Sequence, residues 1–212
     1  MLKIKLYCVL SARYGLNFEE QAEQCCLGGA DALLLTGEML SPRQTAEVGL
    51  KIREITRRHK VLFFVEGRPD IALGVDADGV HLGTEDIGFD LARQIIGPRK
   101  LIGSSASSLG QAVSAAEEGA CYVMIGPMFS QQKTAPGIDM IRLIKKRVKV
   151  PIIASGEINF ENAREIMQSG ADGIAVSEVV LKASSVSDET KRLKAMVVDL
   201  YLKENPSGAK EQ

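Results

Sequence analysis

The sequence predicts one α/β domain, a single (β/α)8 TIM barrel, and three observations support this fold class. Short apolar runs alternate with segments of helical periodicity, eight of each, along most of the 212-residue chain. A hydrophobic content of 45% is enough for one large core. A short turn motif recurs once per two strand–helix units. We expect residues 1–203 to form the barrel and the polar residues 204–212 to form a frayed tail.

Each predicted strand is a short apolar run of the kind that forms a parallel strand buried on both faces. The eight runs lie, in chain order, at residues 3–9, 31–35, 61–65, 79–82, 100–104, 122–125, 150–154 and 172–176. Active sites of such barrels lie at the carboxyl ends of the strands, so we look for chemistry in the residues that follow each run.

The predicted helices are recognised by the residues that begin and end them. Ser41 precedes a proline in a first helical turn, Asn159 is a good cap with acidic residues behind it, and Gly170 ends a helix. The predicted helices lie at residues 17–27, 42–59, 69–75, 89–96, 109–118, 138–146, 160–169 and 187–203. The connection at 126–137 is long and polar, which is typical of a functional lid.

The recurring turn motif ends a helix with Gly or Asp, continues with Ala, and starts a strand. It occurs before the second, fourth, sixth and eighth strands, at residues 29–31, 76–78, 119–121 and 170–172. A Gly or Asp at the helix end and a small residue beneath it make a tight turn. Such turns lie at the end of a barrel that serves stability, so we interpret them as architecture.

The composition argues against several partners and sites. Twenty-six basic and 27 acidic side chains give a net charge of −1, which argues against binding nucleic acid or a membrane surface through the overall field. The sequence shows no apolar run of membrane-spanning length and no signal-peptide segment, so we expect a cytoplasmic protein. The four cysteines have no metal-ligand spacing, and only two histidines could join them, so we expect small buried side chains.

One stretch, residues 150–181, predicts a phosphate site. It reads as strand, turn, helix and strand, with small residues after each strand. Two parallel strands joined by one helix end on the same side, which brings the turn at Ser155 and Gly156 close to the turn at Ser177. Backbone amides that converge in this way bind anions well. We therefore predict that Ser155, Gly156 and Ser177 bind a phosphate, rather than forming plain turns.

Longer matches point to a family. The segments are LYCVL at 6–10, DGVHLGTED at 78–86, GPMF at 126–129 and SGADGIAVSE at 169–178. With these segments in this order, the chain resembles the thiamine phosphate synthase family, whose fold is shared by the sister thiazole tautomerases. The resemblance implies a mouth that joins a phosphorylated thiazole to a pyrimidine diphosphate, with Mg²⁺ on the diphosphate. It also implies a homodimer.

The resemblance carries several site residues over to this chain. Ser105 matches the serine after the fifth strand that contacts the diphosphate, and Lys133 matches the lysine of the sixth loop. Catalytic roles are thus implied for both, with Ser130 and Gln132 as substrate contacts in the place of two threonines. We expect Ser105 to form a hydrogen bond rather than act as a nucleophile, because neither histidine is evidently placed to activate it. His81 is expected to pack inside with a satisfied hydrogen bond.

Metal and phosphate ligands follow from the same resemblance. Asp86 occupies a magnesium-ligand place of the family, although it could instead cap the helix that follows. One carboxylate holds Mg²⁺ weakly, so Glu66 or Glu85 is expected to help. Gly156 and Ser177 match the grip on the thiazole phosphate, although a strict alignment puts Glu178 in the place of Ser177.

Other family positions differ. A synthase carries Gln-x-Arg-x-Lys on the second strand, where this chain has Leu34, Thr36 and Glu38. An Asn-Asp pair after the third strand is replaced by Glu-Gly at 66–67, which is closer to the tautomerases. Yet the tautomerase histidine after the fifth strand is Ser107 here. Two cations and one metal ligand are therefore lost.

The leading hypothesis is an enzyme of thiamine biosynthesis that acts on a phosphorylated thiazole, either a diphosphate-releasing synthase or a tautomerase-like isomerase. In a synthase, Arg13 or Arg68 could replace a lost cation. Two alternatives stay open. One is a non-catalytic barrel that binds a phosphorylated ligand and has lost the reaction, and the other is a different phosphate-handling barrel enzyme.

Overall fold

The computed structural model of the protein describes residues 2–129 and 137–205. Within them, eight parallel strands close into one barrel in chain order, which confirms the predicted fold class. The strands are β1 (Leu6–Leu10), β2 (Ala32–Leu35), β3 (Leu62–Glu66), β4 (Gly79–Leu82), β5 (Leu101–Ala106), β6 (Val123–Ile125), β7 (Ile152–Ala154) and β8 (Gly173–Val176).

Helices surround the barrel. They are α1 (Phe18–Leu27), α2 (Pro42–His59), α3 (Pro69–Gly74), α4 (Phe89–Ile96), α5 (Leu109–Glu117), α6 (Gly137–Lys145), α7 (Ala163–Gln168), α8 (Glu178–Leu181) and α9 (Val186–Glu204). As predicted, Ser41 begins α2, and it forms a capping box with Gln44. No helix in the two described ranges is long and apolar enough to cross a bilayer.

The helices of the structure differ from the prediction in two places. The helix predicted at 160–169 begins only at Ala163, because the Asn159 side chain accepts hydrogen bonds from the amides of Glu161 and Asn162 and forms a turn instead. The four-residue helix α8 after β8 was not predicted, since one helical turn has no periodicity to read. Of the predicted tail, Glu204 ends α9, and residues 206–212 lie outside the described residues.

The recurring turns close the amino-terminal end of the barrel, which we call the base. Their first residues have positive φ, as tight αβ turns require: +85° at Gly29, +53° at Asp76, +99° at Gly119 and +101° at Gly170. Where the third residue is aspartate, its carboxylate accepts a backbone N–H at the start of the preceding strand. These bonds run from Leu6 to Asp31, from Phe63 to Asp78 and from Ile152 to Asp172, each at 2.9 Å.

The structure has two apolar clusters of buried side chains, and the smaller one fills the barrel interior. Its buried members are Ile4, Tyr7, Ala32, Leu34, Phe64, Tyr122, Met124, Ile153 and Ala175. The rings of Tyr7, Phe64 and Tyr122 pack at steep angles with centroids 5.5–5.7 Å apart. Gly103 makes room for them, because a Cβ there would lie 2.1 Å from Cζ of Tyr122. The barrel interior is therefore filled by side chains, and the recesses at the carboxyl ends of the strands lie above it.

Candidate active site

Several predicted site residues lie just above the interior cluster, at the carboxyl ends of the strands. Side chains alternate along a strand, so a residue two places after a core residue faces the same way. Glu66, Ser155 and Ser177 each lie two places after a member of the interior cluster. Ser105 lies two places after Gly103, which contacts that cluster. The fold thus brings these residues to one mouth, as the sequence predicted.

A chain of hydrogen bonds connects the interior to this mouth. The hydroxyls of Tyr7 and Tyr122 lie 3.0 Å apart, and the Tyr122 hydroxyl lies 2.9 Å from Nδ1 of His81. Nε2 of His81 lies 2.9 Å from Oγ of Ser105. Tyr7, Tyr122 and His81 are buried, and Ser105 is partly exposed. We call this chain of four side chains the polar relay.

The polar relay corrects one expectation. From the sequence, neither histidine was expected to reach Ser105, yet His81 contacts it directly. The missing signal was the strand register: in the β4–β5 pairing His81 lies opposite Gly103, two residues before Ser105 on the same face. The expected satisfied hydrogen bonding of His81 is confirmed, with a partner on each ring nitrogen.

Burial keeps His81 and the two tyrosines of the polar relay uncharged. It lowers the pKa of His81 to about 4, so the imidazole is neutral at physiological pH. Burial also raises the pKa of Tyr7 and of Tyr122 well above the usual value for tyrosine. A neutral histidine with so low a pKa is a poor general base, which agrees with a hydrogen-bonding role for Ser105.

An acidic recess of about 690 Å³ opens above β2, β3 and β4. Burial raises the pKa of Glu66, and the nearby carboxylates of Asp86 and Glu38 raise it further. The carboxylate of Asp86 accepts the amide of Gly83 at 2.7 Å. The alternative cap role for Asp86 is wrong, since α4 begins after Gly88 without a side-chain cap.

Glu66 and Asp86 fit a magnesium ion by their chemistry. Mg²⁺ prefers oxygen ligands and is commonly held by one or two carboxylates together with substrate phosphates. Besides burial, repulsion by the nearby carboxylates raises the pKa of Glu66, and a bound cation would relieve that repulsion. The described ranges contain no group of three or more His, Cys, Asp or Glu side chains that could hold a metal ion by itself. A metal here would therefore depend on the substrate for further ligands.

The lost family cations are not replaced by free arginines. Thr36 is buried and donates its hydroxyl to the carbonyl of Leu10. Glu38 forms an ion pair with Arg13. Arg68 forms a two-bond ion pair with Asp70, at 2.8 and 2.6 Å. Each candidate arginine thus already has a carboxylate partner.

A separate recess of about 280 Å³ lies at the ends of β7 and β8, and Ser155, Gly156 and Ser177 line it as predicted. Gly156 has φ +95°, and a Cβ there would lie 2.5 Å from Cα of Pro127, so only glycine fits. The hydroxyl of Ser177 donates to the carbonyl of Val9 at 2.7 Å. Because that hydroxyl is engaged within the protein, the backbone is the main donor that these turns can offer an anion.

The structure shows where Ser177 and Glu178, the two candidates for one phosphate-binding position, lie. Glu178 also lines the β7–β8 recess, but its side chain is exposed and forms an ion pair with Lys182 one turn further along the chain. Both Ser177 and Glu178 therefore border the recess, with the negative charge of Glu178 balanced by a neighbouring cation. The predicted loop residues Ser130, Gln132 and Lys133 lie outside the described residues.

Comparison with known proteins gives consistent matches. The sequence profile of a family described as thiamine monophosphate synthase matches residues 6–180. The chain is 40% identical over 200 residues to the thiamine-phosphate synthase of Chloroflexus aurantiacus, covering 91% of this chain and 92% of that protein. It is 38% identical over 202 residues to the thiamine-phosphate synthase of Pyrococcus furiosus, covering 93% and 97%.

Solved structures agree. The thiamine phosphate pyrophosphorylase of Pyrococcus furiosus superposes with a TM-score of 0.88 at 38% identity, covering 93% of this chain and 97% of that one. A thiamine phosphate pyrophosphorylase from Bacteroides thetaiotaomicron, at 18% identity and a TM-score of 0.70, shares the fold. On the profile match and the near full-length relatives, the chain belongs to the thiamine monophosphate synthase family.

Proposed function

We propose that the chain is a thiamine phosphate synthase, a transferase that couples a phosphorylated thiazole to a pyrimidine diphosphate and releases diphosphate. The observation that carries this proposal is the similarity to proteins named as synthases, at 38–40% identity over more than nine-tenths of the chain. Those names support the synthase over the tautomerase-like isomerase. They also speak against the alternatives of a non-catalytic ligand-binding barrel and a different phosphate-handling enzyme.

The two recesses suggest how the substrates are arranged. The β7–β8 recess, with Gly156 and Ser177, would hold the single phosphate of the thiazole on backbone amides. The acidic recess above β3 and β4 would hold the diphosphate through a divalent cation. The two ligands would then face each other across one mouth, which lowers the entropy cost of bringing them together.

In this arrangement Glu66 and Asp86 would hold Mg²⁺. The ion supplies positive charge that stabilises a diphosphate as a leaving group. The carboxylates have a second role, because the pyrimidine gains positive charge as the diphosphate departs. Glu66 and Asp86 border that recess and would stabilise this charge electrostatically.

Ser105 would donate a hydrogen bond to the departing diphosphate. It borders a smaller recess of about 200 Å³ that it shares with Asp86, next to the metal position. A charge-assisted hydrogen bond of this kind contributes on the order of 1.5–3 kcal/mol. Lys133, Ser130 and Gln132, from the family's sixth loop, complete the proposed diphosphate site.

A direct coupling assay tests the proposal. Purified protein, both substrates and Mg²⁺ should yield thiamine phosphate and diphosphate, and a chelator should stop the reaction. The replacement of the family's Arg and Lys by Thr36 and Glu38 predicts a slow enzyme. Restoring both, as Thr36→Arg with Glu38→Lys, should accelerate it.

No product over prolonged incubation would contradict the proposal, provided that calorimetry shows the thiazole phosphate bound. That pair of results would favour the non-catalytic barrel instead. The cytoplasmic location and the homodimer also stay proposals, and the mass in solution of the purified protein tests the dimer.

A further inference from the structure

The buried end of the polar relay is Tyr7, whose hydroxyl can only be a hydrogen-bond donor. The Tyr7 hydroxyl is buried among apolar and aromatic side chains of the interior cluster. Within the described residues its sole hydrogen-bond partner is the hydroxyl of Tyr122. A hydroxyl proton left without an acceptor in such surroundings is costly, so Tyr7 must donate to Tyr122.

This one constraint decides the direction of every other bond in the relay. Tyr122 has a single proton, and its oxygen accepts from Tyr7, so it donates to Nδ1 of His81. A neutral imidazole carries one proton, and with Nδ1 accepting, that proton is on Nε2. His81 then donates from Nε2 to Oγ of Ser105.

The opposite direction of hydrogen bonding, from Ser105 towards Tyr7, leaves the Tyr7 hydroxyl unsatisfied. If Ser105 donated to His81, His81 would donate from Nδ1 to Tyr122, and Tyr122 would donate to Tyr7. The Tyr7 proton would then have no acceptor among the described residues. Only the first order uses every buried proton, and within the part of the chain that the structure describes it leaves the Ser105 proton without an acceptor, at the mouth.

We propose that Tyr7, Tyr122 and His81 are positioning residues that fix the proton order, so that Ser105 accepts from His81 and presents its own proton to an anion in the mouth. Ser105 borders the same small recess as Asp86. The anion is therefore one that also meets the metal position, and a diphosphate fits this chemistry. That last assignment rests on the proposed function, whereas the proton order does not.

The proton order can be measured without any substrate. The chain has two histidines, His59 and His81, so nitrogen NMR of labelled protein, with His59→Gln for assignment, resolves the His81 ring. We expect the proton on Nε2 and a bare Nδ1 at neutral pH. A proton on Nδ1 would overturn the proposal, and this measurement needs no change at the relay itself.

Substitutions test the positioning role. Tyr122→Phe removes the donor to Nδ1, so His81 should become a mixture of tautomers and affinity for inorganic diphosphate with Mg²⁺ should fall about tenfold. Ser105→Ala should cause a similar loss, and the double variant should be no worse than Ser105→Ala alone. Additive losses would contradict the proposal, because they would mean that Tyr122 acts independently of Ser105.

Tyr7→Phe is the matched control. It removes the buried hydroxyl but keeps Tyr122, whose proton then still has only Nδ1 of His81 to bind among the described residues. The Nε2 tautomer should therefore persist, and a switch to the Nδ1 tautomer would contradict the argument. If the tautomers behave as expected but coupling is absent, the proton order stands and the proposed function fails.

Discussion

The base and the mouth of this barrel both carry aspartates and glutamates, but their surroundings differ. At the base, Asp31, Asp78 and Asp172 each accept a backbone N–H from a neighbouring strand. Each also has a cationic partner, namely Lys194, Arg53 and Lys145 respectively. At the mouth, burial raises the pKa of Glu66, and among the described residues the carboxylates of Asp86 and Glu38 raise it further.

This difference in the surroundings of the carboxylates indicates that the base stabilises the fold and that the mouth binds ligand. Paired carboxylates that also accept backbone N–H groups connect strands and helices and stabilise the fold. A partly buried carboxylate beside other carboxylates costs folding free energy, and such a cost is expected where a ligand will later supply the missing charge. Changes at the base should therefore affect stability, and changes at the mouth should affect ligand binding and turnover.

The largest expected effect is at the base. Asp78→Ala removes the bond to the Phe63 amide and leaves Arg53, whose side chain is mostly buried, without its two-bond partner. We expect the free energy of unfolding to fall by about 3–4 kcal/mol, with coupling activity per folded molecule unchanged. Urea unfolding measures the first quantity.

The control for that change is Asp139→Ala. Asp139 is exposed, and among the described residues its ion-pair partner is Arg142 on its own helix, so its loss should cost less than about 0.5 kcal/mol. Similar costs for both variants would mean that the base ion pairs contribute nothing special.

His81 gives the next largest effect, and it depends on pH. Its pKa is about 4 in the folded protein against 6.5 for an ordinary histidine, so between these values the unfolded chain binds more protons. Stability should therefore fall as pH falls from about 6.5 to about 4, by about 3 kcal/mol from this residue. His81→Gln should lose that much less over the same range, and parallel curves for the two proteins would contradict the assignment.

A smaller effect is expected at the base turns. Gly170 has φ +101°, and its nearest neighbour leaves room for a Cβ, so Gly170→Ala isolates the backbone cost. We expect a loss of about 1–2 kcal/mol in thermal or urea unfolding. The matched control is Gly110→Ala, since Gly110 lies in α5 without positive φ or close neighbours. That change should be neutral or slightly stabilising.

The smallest predicted effect is a gain in stability at the mouth. The raised pKa of Glu66 means that its charge opposes folding at neutral pH, so Glu66→Gln should raise the melting temperature of the metal-free protein by about 1–2 °C. The gain should vanish well below pH 4.5, where Glu66 is itself uncharged. A lower melting temperature at neutral pH would mean that Glu66 stabilises the fold after all.

Much of this fold could be predicted from the sequence because its signals are local. Buried parallel strands read as apolar runs, and Ser41 with Pro42 marks the start of α2. The structure departs from prediction where a local signal had two outcomes or was too short. Asn159 could cap a helix or close a turn, and α8 is a single helical turn.

The site was predictable only in part. Glu66 and Ser105 lie at the carboxyl ends of β3 and β5, and Gly156 follows β7, so position alone brings them to one mouth. The contact between His81 and Ser105 depends on the register of β4 against β5, and the Tyr7 end of the relay depends on residues far apart in sequence. Pairings of this kind are properties of the closed barrel and leave no local mark in the chain.

The most direct test of the difference between base and mouth is the coupling rate of Glu66→Gln at saturating Mg²⁺. The change keeps the shape of the side chain and removes the charge proposed to hold the metal. We predict a fall in kcat/KM of at least about a hundredfold, with a melting temperature equal to or above that of the parent protein. Unchanged kcat/KM together with reduced stability would contradict the account, because Glu66 would then serve the fold as the base aspartates do.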